Sequence, residues 1–108
     1  MSLFSLKNKS VLITGSSRGI GKSIATQCAI HGAKVIISSR KKDMCEKTAE
    51  EINSLVGSDK AYPIAASISE PEQLNYLVDK TKEKLKKIDV LICNAATNPF
   101  MGSMLDMP

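Results

Sequence analysis

The sequence predicts an α/β fold, a doubly wound parallel sheet of about four strands with three helices, occupying residues 1–108 as one domain. Three observations carry that expectation. Short apolar runs alternate with amphipathic stretches of helical period from end to end. Three of the four apolar runs are nearly continuous, as they are in parallel strands covered on both faces. The first run passes at once into a glycine-rich turn that opens the first helical stretch, the kind of join at which such sheets meet their ligands.

Ser10–Thr14 (SVLIT) reads as the first strand. The first helix follows from about Gly19 to His31, with Ile20, Ile24 and Cys28, joined by Ala25 and Ala29, on one apolar face and Gly32 as its stop. Lys34–Ser38 (KVIIS) is the second strand. The second helix spans about Lys42 to Val56, with Cys45, Ala49, Ile52 and Val56 facing inward and Gly57 after it. Tyr62–Ala66 (YPIAA) is the third and weakest strand, because Pro63 donates no ladder hydrogen bond and favours a strand start or an edge. The third helix opens at Ser69-Glu70-Pro71-Glu72, an S-x-x-E capping box with proline in the first turn. Its apolar stripe is Leu74, Leu77, Val78, Thr81 and Leu85. Asp89–Cys93 (DVLIC) is the fourth strand. Residues 94–108 read as a loop whose end, Asp106-Met107-Pro108, has the cap-then-proline form of a helix start. On this reading the chain is the front half of a longer protein, and the outer edge of the fourth strand is unpaired.

At 108 residues, 43% of them hydrophobic, the chain has material for one small core and not for a large multidomain enzyme. No apolar run nears the roughly 20 residues that cross a bilayer, and the N-terminal MSLFSLKNKS has no apolar stretch of signal-peptide length. Cys28, Cys45 and Cys93 are far apart and odd in number. They suit inert core thiols in a reducing compartment, hence a cytoplasmic location, better than a disulfide framework or a metal site. Charge is uneven: residues 1–42 hold eight Lys or Arg and no acid, while residues 43–108 hold seven bases and eleven acids. A basic half can meet nucleic acid, a membrane surface or a small anion. Here the bases are dispersed and Trp is absent, so neither a basic helical stripe nor interleaved aromatics supports nucleic acid. A compact anion held by two loops fits the spacing, with no nucleic-acid or membrane partner.

The informative segment is Thr14-Gly15-Ser16-Ser17-Arg18-Gly19-Ile20-Gly21. Gly15 permits a tight exit from the strand, Gly19 and Gly21 let backbone and helix approach a ligand closely, and the helix N-terminus presents free N–H groups to a phosphate. This T-G-x-x-x-G-I-G loop resembles the cofactor loop of the classical short-chain dehydrogenase/reductase family, in its N-terminal part. Ile88-Asp89-Val90-Leu91-Ile92-Cys93-Asn94-Ala95-Ala96 is similar to the family's strand ending in N-N-A-G, with Cys93 and Ala96 where the family has Asn and Gly. Ser67-Ile68 stands where the family has an Asp-Val that meets adenine. The resemblance implies a Rossmann-like fold binding a nicotinamide dinucleotide, with Gly15, Ser17, Arg18, Gly19, Ile20, Gly21, Ser67, Ile68, Asn94, Ala95 and Ala96 lining it. It also implies a homo-oligomer acting on a small carbonyl or alcohol. Family members that select NAD carry an acid at the position of Ser39. Here Ser39 is followed by Arg40, Lys41 and Lys42, with Arg18 toward the same region, and an arginine grips a 2′-phosphate that an acid repels. The sequence therefore resembles the NADP(H)-preferring members, among them carbonyl and retinol reductases.

Tyr76-Leu-Val-Asp-Lys80 has the Y-x-x-x-K spacing of the family's catalytic pair. It falls off the stripe of the third helix and lacks the serine about a dozen residues upstream, so it reads as a solvent face, as does the Lys80–Lys87 run. The catalytic Ser, Tyr and Lys are then expected beyond Pro108, and no residue of this chain is assigned a catalytic role. Gly21-Lys22-Ser23 matches the end of a phosphate-binding loop, but Ser16 stands where that motif needs its first glycine. His31 at a helix C-terminus reads as a favourable dipole contact and not as a metal ligand. Two other functions stay open on these residues: a free-standing nucleotide-binding module without catalysis, and a P-loop phosphotransferase.

Overall fold

The computed structural model describes residues 5–17, 19–67, 70–94 and 99–102. The elements follow in the order β1 (Ser10–Thr14), α1 (Gly19–Ile30), β2 (Lys34–Ser38), α2 (Lys42–Val56), β3 (Ala61–Pro63), α3 (Pro71–Leu85), β4 (Val90–Asn94) and β5 (Pro99–Gly102). The sheet order is β3-β2-β1-β4-β5. β1 pairs in parallel with β2 and β4, and β2 with β3. Four parallel strands and three helices are what the sequence predicts. Strand order reverses at β1, so the carboxyl ends of β1 and β4 flank a crevice at the switch point.

Period-two alternation sorts the strand residues between two cores. Val11, Ile13, Val35, Ile37 and Ile92 pack with Ala25 and Ala29 of α1 and with Cys45, Ala49 and Ile52 of α2. Leu12, Ile36 and Leu91 face the other way and pack with Leu77 and Leu85 of α3. Burying each of the Leu and Ile side chains at the sheet centre contributes about 1.5–3 kcal/mol. At the far side of α2, Asn53 Oδ1 accepts from the Lys60 and Ala61 N–H groups (2.8 and 2.7 Å), and its amide donates to the Ala61 carbonyl (2.9 Å), which aims the chain into β3.

Several local expectations are corrected. α1 buries Gly21, Ala25 and Ala29, whereas Ile24 and Cys28 are only half-buried and Ile20 is 63% exposed. The small residues let the helix lie close against the sheet, which rotates the expected face by one position. β3 stops at Pro63, but the chain runs on beside β2, with Ile64 N–H donating to the Ile37 carbonyl (3.0 Å) and Ala66 N–H to the Ser39 carbonyl (2.9 Å). α3 has Glu70 as its N-cap in an extended conformation, without a side-chain cap bond. Proline at position 71 forces the residue before it out of helical conformation, so the cap sits there; Ser69 of the expected capping box lies outside the described residues. Finally, the outer edge of β4 is paired. β5 runs antiparallel to it, with Leu91 opposite Gly102 and Asn94 opposite Pro99, in a segment read as loop because Pro and Gly bound only two apolar residues.

Candidate dinucleotide site

The site is assembled at the carboxyl ends of β1, β2 and β4. Gly15, with φ 62°, turns the chain out of β1, and Ser16 ties the turn down. The Ser16 hydroxyl donates to the Ile13 carbonyl (2.7 Å) and accepts from the Ser38 N–H (2.8 Å), while the Ser16 N–H donates to the Ser38 carbonyl (3.0 Å). β1 and β2 thus stay paired one step past their last rung. Ser17 is buried, and its carbonyl accepts a 2.9 Å hydrogen bond from Thr48 Oγ1 of α2.

Above these anchors the loop is open. Gly19 has φ +63°, a left-handed conformation, and a Cβ built on it would meet nothing within 4 Å. Ile20 beside it projects into solvent, Gly21 is buried against the fold, and α1 has no acid in its first turn. The N–H groups and positive dipole end of its first turn therefore have no acid of their own turn to compete with a ligand. A cradle with a bare glycine at its lip and a helix N-terminus behind it fits a diphosphate.

The exit of β2 forms the second wall. Ser39 is half-buried and Arg40 exposed. The Ser39 hydroxyl is turned back onto α2: it accepts from the Lys41 N–H (3.2 Å) and lies 3.2 Å from Cys45 Sγ. Arg40, Lys41 and Lys42 are the exposed groups of this corner. The hydrogen bond from Ala66 to Ser39 brings half-buried Ser67 alongside, so the exits of β2 and β3 are adjacent. Ser38, 1% exposed, carries a hydroxyl with no hydrogen-bond partner among the described residues. Buried polar groups ordinarily find one. Asn94 closes β4, one residue beyond the Thr14–Cys93 rung. Arg18, Ile68, Ala95 and Ala96 lie outside the described residues, as do the Asn94 and Cys93 side chains.

Ser16, Thr48 and Cys45 shape the site without having been expected to. Thr48 shares the 45-48-49-52 face of α2, and the signal was a hydroxyl set in an apolar stripe. Elsewhere, Tyr76 is 44% exposed, with Lys80 Nζ 5.9 Å from its ring centre and 3.6 Å from the Glu83 carboxylate. The pair is on the solvent face of α3, as its spacing off the stripe predicts. A cleft of about 500 Å³ lined by Cys45, Tyr62, Tyr76 and Lys84 opens at the β3 edge and contains no residue of the glycine loop. The half-buried Cys28 thiol has its pKa pushed up by burial, which suits an inert core group. Among the described residues no group of His, Cys, Asp and Glu could hold a metal, and no helix is long and apolar enough to cross a membrane.

A family model described as short chain dehydrogenase matches residues 9–107. A short-chain dehydrogenase/reductase of Arabidopsis thaliana is 38% identical over 100 residues, covering 93% of this chain and 39% of that protein. The crystal structure of a 3-ketoacyl-(acyl-carrier-protein) reductase from Brucella melitensis complexed with NADH aligns with a TM-score of 0.73 and 38% identity, over 81% of this chain and 34% of that one. RhlG of Pseudomonas aeruginosa, solved as an NADP active-site complex, aligns with a TM-score of 0.78 and 35% identity, over 87% and 37% of the two chains. The chain therefore spans a little over a third of the length of these relatives.

Proposed function

The chain belongs to the short-chain dehydrogenase family, and from that premise we propose that it is the cofactor-holding N-terminal part of an NADP(H)-dependent oxidoreductase. When bound, the dinucleotide supplies or accepts the hydride exchanged with a carbonyl or secondary alcohol. The residues here hold it: the open N–H groups around Gly19 take the diphosphate, Arg40 takes the 2′-phosphate, and Ser67 and Asn94 line the adenosine and nicotinamide sides. Proton transfer belongs to the part of the relatives that this chain does not span. The 108-residue chain alone is accordingly expected to show no hydride transfer. A cytoplasmic setting and a homo-oligomer complete the reading.

The observation that carries the cofactor choice is the β2 exit, where Arg40 is exposed and no acid occurs in residues 1–42. Both dinucleotides occur among the similar structures, so a glycine loop by itself does not choose between them. An exposed guanidinium at the exit of β2 does, because only NADPH offers it a 2′-phosphate. A charge-assisted contact of this kind is worth roughly 1.5–3 kcal/mol, or about ten- to a hundredfold in affinity. Arg40→Ala in the native polypeptide that carries this chain should weaken NADPH by about that factor and leave NADH nearly unchanged, in paired titrations at one fixed ionic strength. Equal weakening of both cofactors would show that Arg40 does something other than read the phosphate.

A further inference from the structure

α2 touches both loops of the site from beneath. On its inward face, one turn apart, Thr48 and Cys45 are 2% and 0% exposed. Thr48 Oγ1 donates to the Ser17 carbonyl at 2.9 Å, a residue 31 positions earlier in the chain. Cys45 Sγ lies 3.2 Å from the Ser39 hydroxyl and 3.8 Å from the Ser39 carbonyl. A threonine inside a helix ordinarily bonds back to its own fourth-previous carbonyl. Thr26 does so with Lys22 (2.7 Å) and Thr81 with Leu77 (2.8 Å). Thr48 instead reaches out of its helix to the glycine loop. The thiol of Cys45 likewise reaches the one side chain that precedes Arg40.

We propose that Thr48 and Cys45 are positioning residues through which one helix sets the spacing of the two cofactor loops. The proposal rests on the dinucleotide role argued above. The two contacts have separable consequences. The glycine loop meets the diphosphate common to both dinucleotides, so Thr48 governs affinity for NADPH and NADH alike. Ser39 leads into Arg40, whose ligand is the 2′-phosphate alone, so Cys45 governs the preference between them. A displacement of well under an ångström suffices, since hydrogen bonds to a phosphate weaken steeply with distance and angle.

The test is a set of equilibrium titrations with NADPH and with NADH on the native polypeptide, paired with thermal melts. Thr48→Val keeps shape and removes the hydroxyl; both cofactors should weaken by about three- to tenfold with their ratio unchanged. Thr48→Ser restores the hydroxyl and should recover wild-type binding to within about twofold. Cys45→Val should weaken NADPH about threefold and leave NADH within about 1.5-fold, while Cys45→Ser, which retains a polar partner for Ser39, should keep the wild-type preference. Thr48→Ala is made in parallel, so that the result does not hang on one variant folding. The proposal is overturned if Thr48→Val and Thr48→Ala melt normally and bind normally, if Thr48→Ser fails to rescue, or if Cys45→Val moves both cofactors together. Wild-type protein that binds neither dinucleotide would remove the dinucleotide role itself, and the proposal with it. Wild-type binding with unaffected variants removes the proposal alone.

Discussion

At the base of the sheet, where β1 and β4 begin, polar groups are paired with one another. The Ser10 N–H donates to Asp89 Oδ2 (2.8 Å), the Asp89 N–H returns a bond to the Ser10 carbonyl (2.8 Å), and Lys87 Nζ stands 3.1 Å from the same carboxylate. The backbone bond from Ser10, aided by Lys87, holds the Asp89 carboxyl below its ordinary range. At the mouth, where the same strands end, the lower layer is equally well tied through Ser16, but the described groups above it are more open. Among the described residues the Ser38 hydroxyl has no hydrogen-bond partner, Arg40 is exposed, the first turn of α1 carries no acid, and the space beside Gly19 is open. The difference teaches where to look in a two-ended sheet: internally paired polar groups hold the fold, and well-supported groups without partners await something outside it.

Variants at the two ends should separate these roles. The largest effect belongs to the mouth. Gly19→Ala puts a Cβ into open space in the free protein, so its stability cost is the left-handed strain alone, about 1 kcal/mol. On the dinucleotide role proposed above, the same Cβ would stand in the approach to the diphosphate, so NADPH and NADH should both weaken about tenfold or more, read by titration. A Gly19→Ala protein with wild-type affinity would take the loop out of the site. Next comes the base. Asp89→Asn keeps an acceptor but loses the charge, and should cost about 1 kcal/mol after allowance for its partial exposure, with cofactor affinity within about twofold. Because the folded pKa of Asp89 is depressed, its contribution is complete above the ordinary aspartate value near 4 and fades as pH falls through the lower folded value. Glu51, lowered chiefly by its hydrogen bond from Lys22, acts in the same direction. The check is therefore the difference between wild-type and Asp89→Asn denaturation midpoints, which should shrink as the pH falls below about 4. A gap that widened toward acid would reverse the sign of the argument.

A smaller effect, of opposite sign, is expected a few residues away. α3 ends on Lys86, a non-glycine residue at φ 73°, where α2 ends on Gly57. Lys86→Gly should stabilise the protein by up to about 1 kcal/mol, seen as a raised melting temperature, with no change in binding. Tyr76→Phe should do least, leaving turnover of the native protein within about twofold. A hundredfold loss would make Tyr76 catalytic and dissolve the division between mouth and flank.

Much of this was legible because it is local. β1, β2 and the bounds of α2 follow from apolar runs and a 3.6-residue stripe, and the glycine loop announces itself by standing between a strand and a helix. What escaped depends on partners distant in sequence. Nothing within five residues of Thr48 says that its hydroxyl meets Ser17, or that the Cys45 thiol meets Ser39. Ile20 looked like a core residue because periodicity registers which face a side chain is on, and not whether the first turn still overlaps the sheet. Residues 99–102 form a strand only because β4 offers them an edge.

The central position of β1 has a consequence for the order in which the fold is made. β1 is made before the other described strands, yet its pairing with β4 closes a contact 79 residues long, Ser10 to Asp89. At translation rates of about 5–20 residues per second, one edge of an almost wholly apolar strand waits on the order of 4–16 s for its partner. β2 can dock much sooner, so a half-sheet of β1, β2 and β3 under α1 and α2 is the natural early species. The face later covered by α3, with Leu12 and Ile36 at its centre, stays bare in that species. The nascent chain is thus most vulnerable to misassociation on the side opposite α1 and α2, and that vulnerability ends with the arrival of α3 and β4.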